Sequence, residues 1–276
     1  MNNLKMFCIT MRNEDLNLIE SLGYIPVGLG KNISSKNFLR DNDKINISKK
    51  NPFYGEYTFH YWLWKNYLDK LEDGWFGFCQ YRKFWSSEVL SNFDTSLSDF
   101  KKSVKTIINK EDDSYNSIIG EPIYINQFKL LKFLKKGFNK IVINPSLLFN
   151  KNKRTIKFHF DLMHGDGNLD KAIELLHPDE RKDFSEFVNS EVSFNPHNMF
   201  ICKSKTLLVK YYSSVFPWLD RCENLFGLKL EGYGLKRIYG FLAERYMSYW
   251  FRKYTNYKTQ RIIFKDISDF NKIKEL

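Results

Sequence analysis

"WFGFCQYRKFW" (75–85) decides how the rest of the chain is read. Trp75, Phe76, Phe78 and Cys79 make a near-continuous apolar run, the pattern of a strand packed on both faces. Gln80, Tyr81, Arg82 and Lys83 then follow at its end, before Phe84 and Trp85 return to the interior. With the segments around it, the order strand, strand, helix, strand predicts an α/β domain. In such domains a largely parallel sheet gathers ligands at the carboxyl ends of its strands.

Working outward, "KMFCIT" (5–10) reads as a first strand and "YIPVGLG" (24–30) as a second that ends in a glycine-bearing loop. Polar residues 31–51 predict a long loop. "NPFYGEYTFHYWLWKNYLDKL" (51–71) predicts one helix, capped by Asn51 or Ser48, with Pro52 in its first turn. Its middle is apolar nearly all round, and Glu56 and His60 share a face as a polar pair. Residues 86–116 read as a polar excursion, 127–138 as an amphipathic helix with a basic face, and "NKIVINPSLLF" (139–149) as a buried strand. A helical stretch over 169–188 leads to a strand in "SFNPHNMFICKS" (193–204). The last long helix, 235–253, places Arg237, Gly240, Glu244 and Ser248 on one stripe. The expected organisation is one domain over 1–253 and a basic tail over 254–276.

With 276 residues, 43% of them hydrophobic and 17% aromatic, the chain can bury a large core and is not a disordered protein. Lys and Arg number 43 against 32 Asp and Glu, a net charge of +11 that predicts an anionic partner. Nucleic acid, an acidic membrane and a phosphorylated small molecule all meet that condition. No nucleic-acid-binding signature accompanies the charge, so nucleic acid is not expected. Cys8, Cys79, Cys202 and Cys222 are scattered without metal spacing and read as reduced, buried thiols. The start of the sequence lacks the apolar core of a signal peptide, and no stretch approaches the roughly 20 apolar residues that span a bilayer. The expected location is cytoplasmic, with peripheral attachment to the inner face of the cytoplasmic membrane also open.

Several signatures of chemistry are missing: GxGxxG, the P-loop, GxSxG and HExxH. A literal D-x-D occurs at Asp41-Asn42-Asp43. In nucleotide-sugar transferases such a pair holds a divalent metal against a diphosphate, usually just after a hydrophobic strand. Here it lies in a polar loop, where the pattern also arises by chance.

"NISKKNPFYGEYTFHYWLWKN" (46–66) followed by "WFGFCQYRKFW" resembles a bacterial domain family of capsule, O-antigen and other surface-polysaccharide gene products. That family, long catalogued as a domain of unknown function, shows a DN…NIS.kNp..cElTalYW.WKN pattern and then yiGl.HYRRyf. Later come a His…DLD stretch, nMFIm, and a closing R..GfisERl helix. The chain supplies Asp41-Asn42, Asn46-Ile47-Ser48, Glu56, Tyr61-Trp62, Trp64-Lys65-Asn66 and Tyr81-Arg82-Lys83. His164, Leu169-Asp170, Asn198-Met199-Phe200-Ile201, Arg237, Gly240-Phe241 and Glu244-Arg245 complete the ordered set. Gln80 stands where the family has His, and Lys83 where it has a second Arg, which leaves the donor sugar open.

The resemblance implies a GT-A-like, Rossmann-type fold: a mostly parallel sheet flanked by helices, with a helical C-terminal portion. It implies a glycosyltransferase that uses a nucleotide-diphosphate sugar, some members acting on UDP-galactofuranose, and a saccharide or lipid-linked acceptor in capsule or lipopolysaccharide synthesis. The alternative is a non-catalytic nucleotide-sugar or polysaccharide-binding module. Departure of a diphosphate requires stabilisation of developing negative charge. Arg82 and Lys83 supply it without a metal, positioned with Tyr81 and Gln80, or Asp41 and Asp43 bring manganese or magnesium. Thr10, Gly28, Asp41, Asn42 and Asn46 complete the expected donor site. His164, Asn195, His197, Asn198, Arg237 and Arg245 are expected on the sugar or acceptor side. An inverting transfer needs a carboxylate base, for which Asp166, Asp170, Glu244 and Glu56 are candidates, with Asp161 beside them. Structural duties compete for several of these: Glu244 as an ion-pair partner of Arg237, Asp170 as a helix-terminal charge.

Overall fold

The computed structural model describes residues 4–30, 33, 38–87, 96–127 and 142–272. Its strands, in chain order, are β1 (Leu4–Thr10), β2 (Ile25–Gly28), β3 (Leu39–Arg40), β4 (Trp75–Gln80), β5 (Lys83–Trp85), β6 (Ser117–Gly120), β7 (Ile123–Tyr124), β8 (Ser193–Phe194), β9 (Phe200–Cys202), β10 (Tyr257–Gln260) and β11 (Ile262–Phe264). The chain folds as two compact units, residues 1–121, 199–213 and 254–276 in one and 122–198 and 214–253 in the other.

The first unit is built on a mixed, mostly parallel sheet in the order β10-β6-β9-β4-β1-β2-β3. β1 lies parallel to β2 and to β4, with Cys8 opposite Pro26 on one side and Cys79 on the other. Both central strands are apolar on both faces, as a sheet covered on two sides requires: Phe7, Phe76 and Phe78 are at most 1% exposed. Burial of side chains of that size stabilises the fold by about 1.5–3 kcal/mol each. β9 runs antiparallel between β4 and β6. Gly77 permits a close approach there, since a Cβ at that position would stand 2.8 Å from the Met6 sulfur and 3.2 Å from Ile201.

Residues 51–71 form two helices, Asn51–Tyr54 and Tyr57–Asn66, and a final 3-10 turn rather than one helix. The break falls at Gly55, which adopts φ 58° and ψ −134°, a conformation that glycine reaches without Cβ strain. Pro52 sits in the first turn as expected, but the Asn51 side chain donates to the Gly55 carbonyl instead of capping. Tyr57, Phe59, His60, Trp62 and Leu63 are all buried, in line with the all-round apolar pattern.

The described part of the 86–116 excursion is ordered. Leu97–Ser103 is helical behind a Ser96 cap, and Phe100, Val104 and Ile108 enter the main core. Residues 257–264, expected within a basic tail, are strands instead. β10 pairs with β6 and β11 with β5, because "RIIF" brings Ile263 into the same core.

In the second unit, β7 and β8 form a two-stranded antiparallel sheet. The 169–188 stretch divides into helices Asn168–Glu174 and Pro178–Ser190, and the closing helix runs Ile238–Tyr254. The strand expected over 139–149 is helical where it is described: 142–143 are helical, and Ser146–Phe149 is a short helix. Pro145 starts that helix, and the apolar run is too exposed to belong to a sheet. The 193–204 segment is likewise two strands, β8 and β9. It is interrupted at His197 and Asn198, whose φ values of 77° and 53° no strand accommodates. Most of the basic helix expected over 127–138 lies outside the described residues.

Candidate functional site

Three parallel strands of the first unit end beside one cavity. Met11 after β1, Leu29 and Gly30 after β2, and Arg40 at the end of β3 line a pocket of about 500 Å³. The loop that follows adds Asp41, Asn42, Ser48, Lys49 and Asn51. The position is the one that α/β sheets use for ligands. Of the expected donor residues, Asp41 and Asn42 reach this pocket. Thr10 is fully buried one residue short of it, where its hydroxyl donates to Asp15 at 2.6 Å and accepts from the Arg12 N–H. Gly28 is backed by Ile33, whose side chain fills the space a Cβ would need. Asn46 ties its own loop together, donating to the carbonyls of Asp43 and Lys44 and accepting from Ser48.

Asp41 is 1% exposed, and burial raises its carboxyl above the usual range despite a hydrogen bond from Thr58. Asp43 accepts from the Trp62 indole at 2.5 Å. Thr58 and Trp62 lie one turn apart on the same helix, so the D-x-D pair fastens the pocket loop to that helix. Among the described residues no three His, Cys, Asp or Glu side chains gather as metal ligands. The Asp41 and Asp43 carboxylates are thus engaged by Thr58 and Trp62.

The cations at the end of β4 belong to a network. Tyr81 N–H donates to the Ile9 carbonyl, which sets this strand end beside the end of β1. Arg82 Nε donates to Asp266 at 2.7 Å, and Arg12 donates to the other oxygen of Asp266 at 2.5 Å and to Asp15 at 2.8 Å. Both guanidinium groups lie over the Tyr81 ring, at 4.4 Å for Arg12 and 4.8 Å for Arg82. Partial burial pushes the Asp266 carboxyl up, but hydrogen bonds from Arg12, Arg82 and Ser268 outweigh it and hold it well below the usual carboxylate range. Lys83 donates to Gln80 at 3.3 Å. Arg82 stays 57% exposed, so its remaining donors face solvent with their charge partly balanced.

In the second unit the stripe on the last helix proves functional to the fold. The Gly240 carbonyl accepts from Asn198, Glu244 accepts from the His197 N–H at 2.5 Å, and Ser248 exchanges two hydrogen bonds with Asn195. Three helix positions thus cradle the strained Asn195–Asn198 turn. Arg237 falls just before this helix, and the adjacent Arg245 pairs with Glu244. Arg245 is 2% exposed, stacked over Phe194 at 4.0 Å, and burial lowers its pKa. His164 stacks on Phe241 at 4.1 Å, with Nδ1 3.0 Å from the Gly234 carbonyl. Lys157 joins Asp161 at 3.0 Å to Asp170 at 2.6 Å, and Asp170 occupies the first turn of its helix. Asp166 is exposed between Gly165 and Gly167, whose φ values of 93° and 71° shape the loop. Glu56 begins the helix Tyr57–Asn66, while His60 Nδ1 lies 2.7 Å from the Tyr212 hydroxyl.

Sequence reading missed Arg12, Arg40, Lys49 and Asp266. The first three had a signal, since each follows closely on a strand end or a loop already singled out. Asp266 had none, lying 184 residues from Arg82.

Residues 6–256 match the family described as Domain of unknown function (DUF4422). The chain belongs to the DUF4422 family. Among solved structures, this DUF4422 chain is similar to the apo form of WbbM, a bifunctional glycosyltransferase, with a TM-score of 0.67 at 20% identity. The likeness covers 96% of the chain but 45% of WbbM, so the chain spans less than half of that protein. The shared fold is the GT-A-like α/β architecture described above. No curated protein matches the DUF4422 chain. Among its described residues, no helix is long and apolar enough to cross a membrane.

Proposed function

We propose that the chain is a glycosyltransferase. In this reading it moves a sugar from a nucleotide-diphosphate donor, a UDP-sugar of the galactofuranose type included, to a saccharide or lipid-linked acceptor of bacterial surface polysaccharide. The observation that carries the reading is the 500 Å³ pocket at the ends of β1, β2 and β3, on a fold shared with a glycosyltransferase. Its lining mixes apolar walls (Met11, Leu29, Pro52) with Arg40, Lys49, Ser48 and Asn51, which suits a planar base joined to a polyanion. In the reaction the bond between the sugar anomeric carbon and the diphosphate oxygen breaks, and the acceptor oxygen bonds to that carbon. The bonding pair leaves with the diphosphate, where fixed cations stabilise it. Arg40 and Lys49 join Arg82 and Lys83 as candidates for that role.

The acceptor proton goes to a carboxylate. Asp170 and Glu244 are engaged by Lys157 and Arg245, and Asp166 is solvent-exposed on its glycine-flanked loop, so Asp166 is the candidate base. The same commitment of Asp170 and Glu244 favours the second reading, a non-catalytic nucleotide-sugar-binding module. Incubation with a panel of nucleotide sugars, with and without saccharide acceptors, separates the two. Release of nucleoside diphosphate with sugar transferred supports the enzyme. Thermal stabilisation by a donor without release supports the module.

A further inference from the structure

The described chain from Val142 to Phe160 carries Lys151, Lys153, Arg154 and Lys157 and no acidic residue, and the acid-free run extends back in sequence to Pro122. Within it three large apolar side chains face water: Val142 at 63%, Ile143 at 83% and Phe149 at 87% exposure. Single exposed apolar residues are ordinary, but three within eight positions form a patch. The exposure is built in. Arg154, 5% exposed, donates to the carbonyls of Leu147, Leu148 and Asn126, which holds the short helix Ser146–Phe149 against the unit with Leu147 inward. Phe149, two residues on, is thereby turned outward. Lys151 and Lys153 follow in an exposed 3-10 turn, and among the described residues neither takes part in an ion pair.

We propose that Val142, Ile143, Phe149, Lys151 and Lys153 form a docking face for an anionic lipid bilayer. Apolar side chains beside unpaired lysines are the combination that inserts at the acyl boundary while the cations meet negative headgroups. A second copy of the chain is the wrong occupant, because pairing through this face would bring the same lysines together. The face does not depend on the transfer reaction, so its test stands apart from that of the proposed activity.

The full-length chain is floated with phosphatidylcholine vesicles with and without phosphatidylglycerol. Flotation with the anionic vesicles alone, reversed by high salt, is expected. Ile143→Ser with Phe149→Ser should weaken vesicle partition about tenfold or more at unchanged net charge, which separates this face from the general positive charge of the chain. Lys151→Glu with Lys153→Glu should weaken it at least as much. All four sites are solvent-facing, so melting temperatures should not move. Equal flotation with neutral vesicles, flotation unaltered in both variants, or no flotation overturns the proposal. So does a concentration-dependent dimer that the Ile143/Phe149 variant abolishes.

Discussion

His60 offers a measurement whose size follows from its surroundings. It is fully buried among Phe78, with ring centroids 4.4 Å apart, Phe200 at 5.5 Å and Tyr212. Nδ1 is spent on the Tyr212 hydroxyl, and among the described residues Nε2 has no hydrogen-bond partner. A proton on Nε2 would place a charge in an apolar cage with no acceptor, so burial lowers the His60 pKa to about 3. The unfolded chain takes up that proton near pH 6.5 and the folded chain does not, so the unfolded state binds more protons below that pH. Stability is therefore intact above about pH 6.5 and falls by about 1.4 kcal/mol per pH unit down to about pH 3. At pH 5 the loss from this residue alone is about 2 kcal/mol. Urea unfolding from pH 7.5 to 4.5, on the wild type and on His60→Phe, isolates it. Phenylalanine fits the aromatic surroundings, and the remaining histidines contribute equally to both proteins. The variant starts less stable, because the hydrogen bond between His60 and the Tyr212 hydroxyl is lost, yet its stability should depend on pH less steeply by about one proton. Identical slopes in the two proteins would refute the buried neutral imidazole.

Asp266→Asn should cost about 1–3 kcal/mol at neutral pH, since the ion pairs with Arg12 and Arg82 weaken in a partly exposed site. Because the native carboxyl is held low, that stability is present above the ordinary carboxylate pKa and lost as pH falls below it. The variant should show a flatter acid limb in the same urea titration. Arg40→Gln and Lys49→Gln should each weaken donor binding about five- to tenfold in calorimetry without changing the melting temperature of the apo chain. Unchanged affinity would move the donor site elsewhere. Turnover should persist in EDTA; activity that requires added manganese would return the metal role to Asp41 or Asp43.

The strand-end polar cluster at 80–83, the buried helix within 51–71 and the stripe on the last helix were legible because each depends on local periodicity. Their partners were not. Gly240, Glu244 and Ser248 were correctly placed on one face, but only the folded chain shows that Asn195, His197 and Asn198 occupy it. The apolar run at 139–149 misled, because exposure and burial look alike in a sequence until neighbouring elements either cover the run or leave it bare. Arg82 and Lys83 read as free cations for the same reason.

By itself the sequence determined an α/β fold with polar and cationic residues at its strand ends, since hydrophobic period and strand-terminal polarity are properties of short windows. Tertiary structure decided the rest. It carried residues 257–264 into the sheet and set Asp266 between Arg12 and Arg82, converting a bare cationic strand end into a balanced network. It also turned Asp41 and Asp43 onto a helix and opened the pocket between the strand ends. Electrostatic partners and cavities arise from segments far apart in the chain, and no local pattern encodes them.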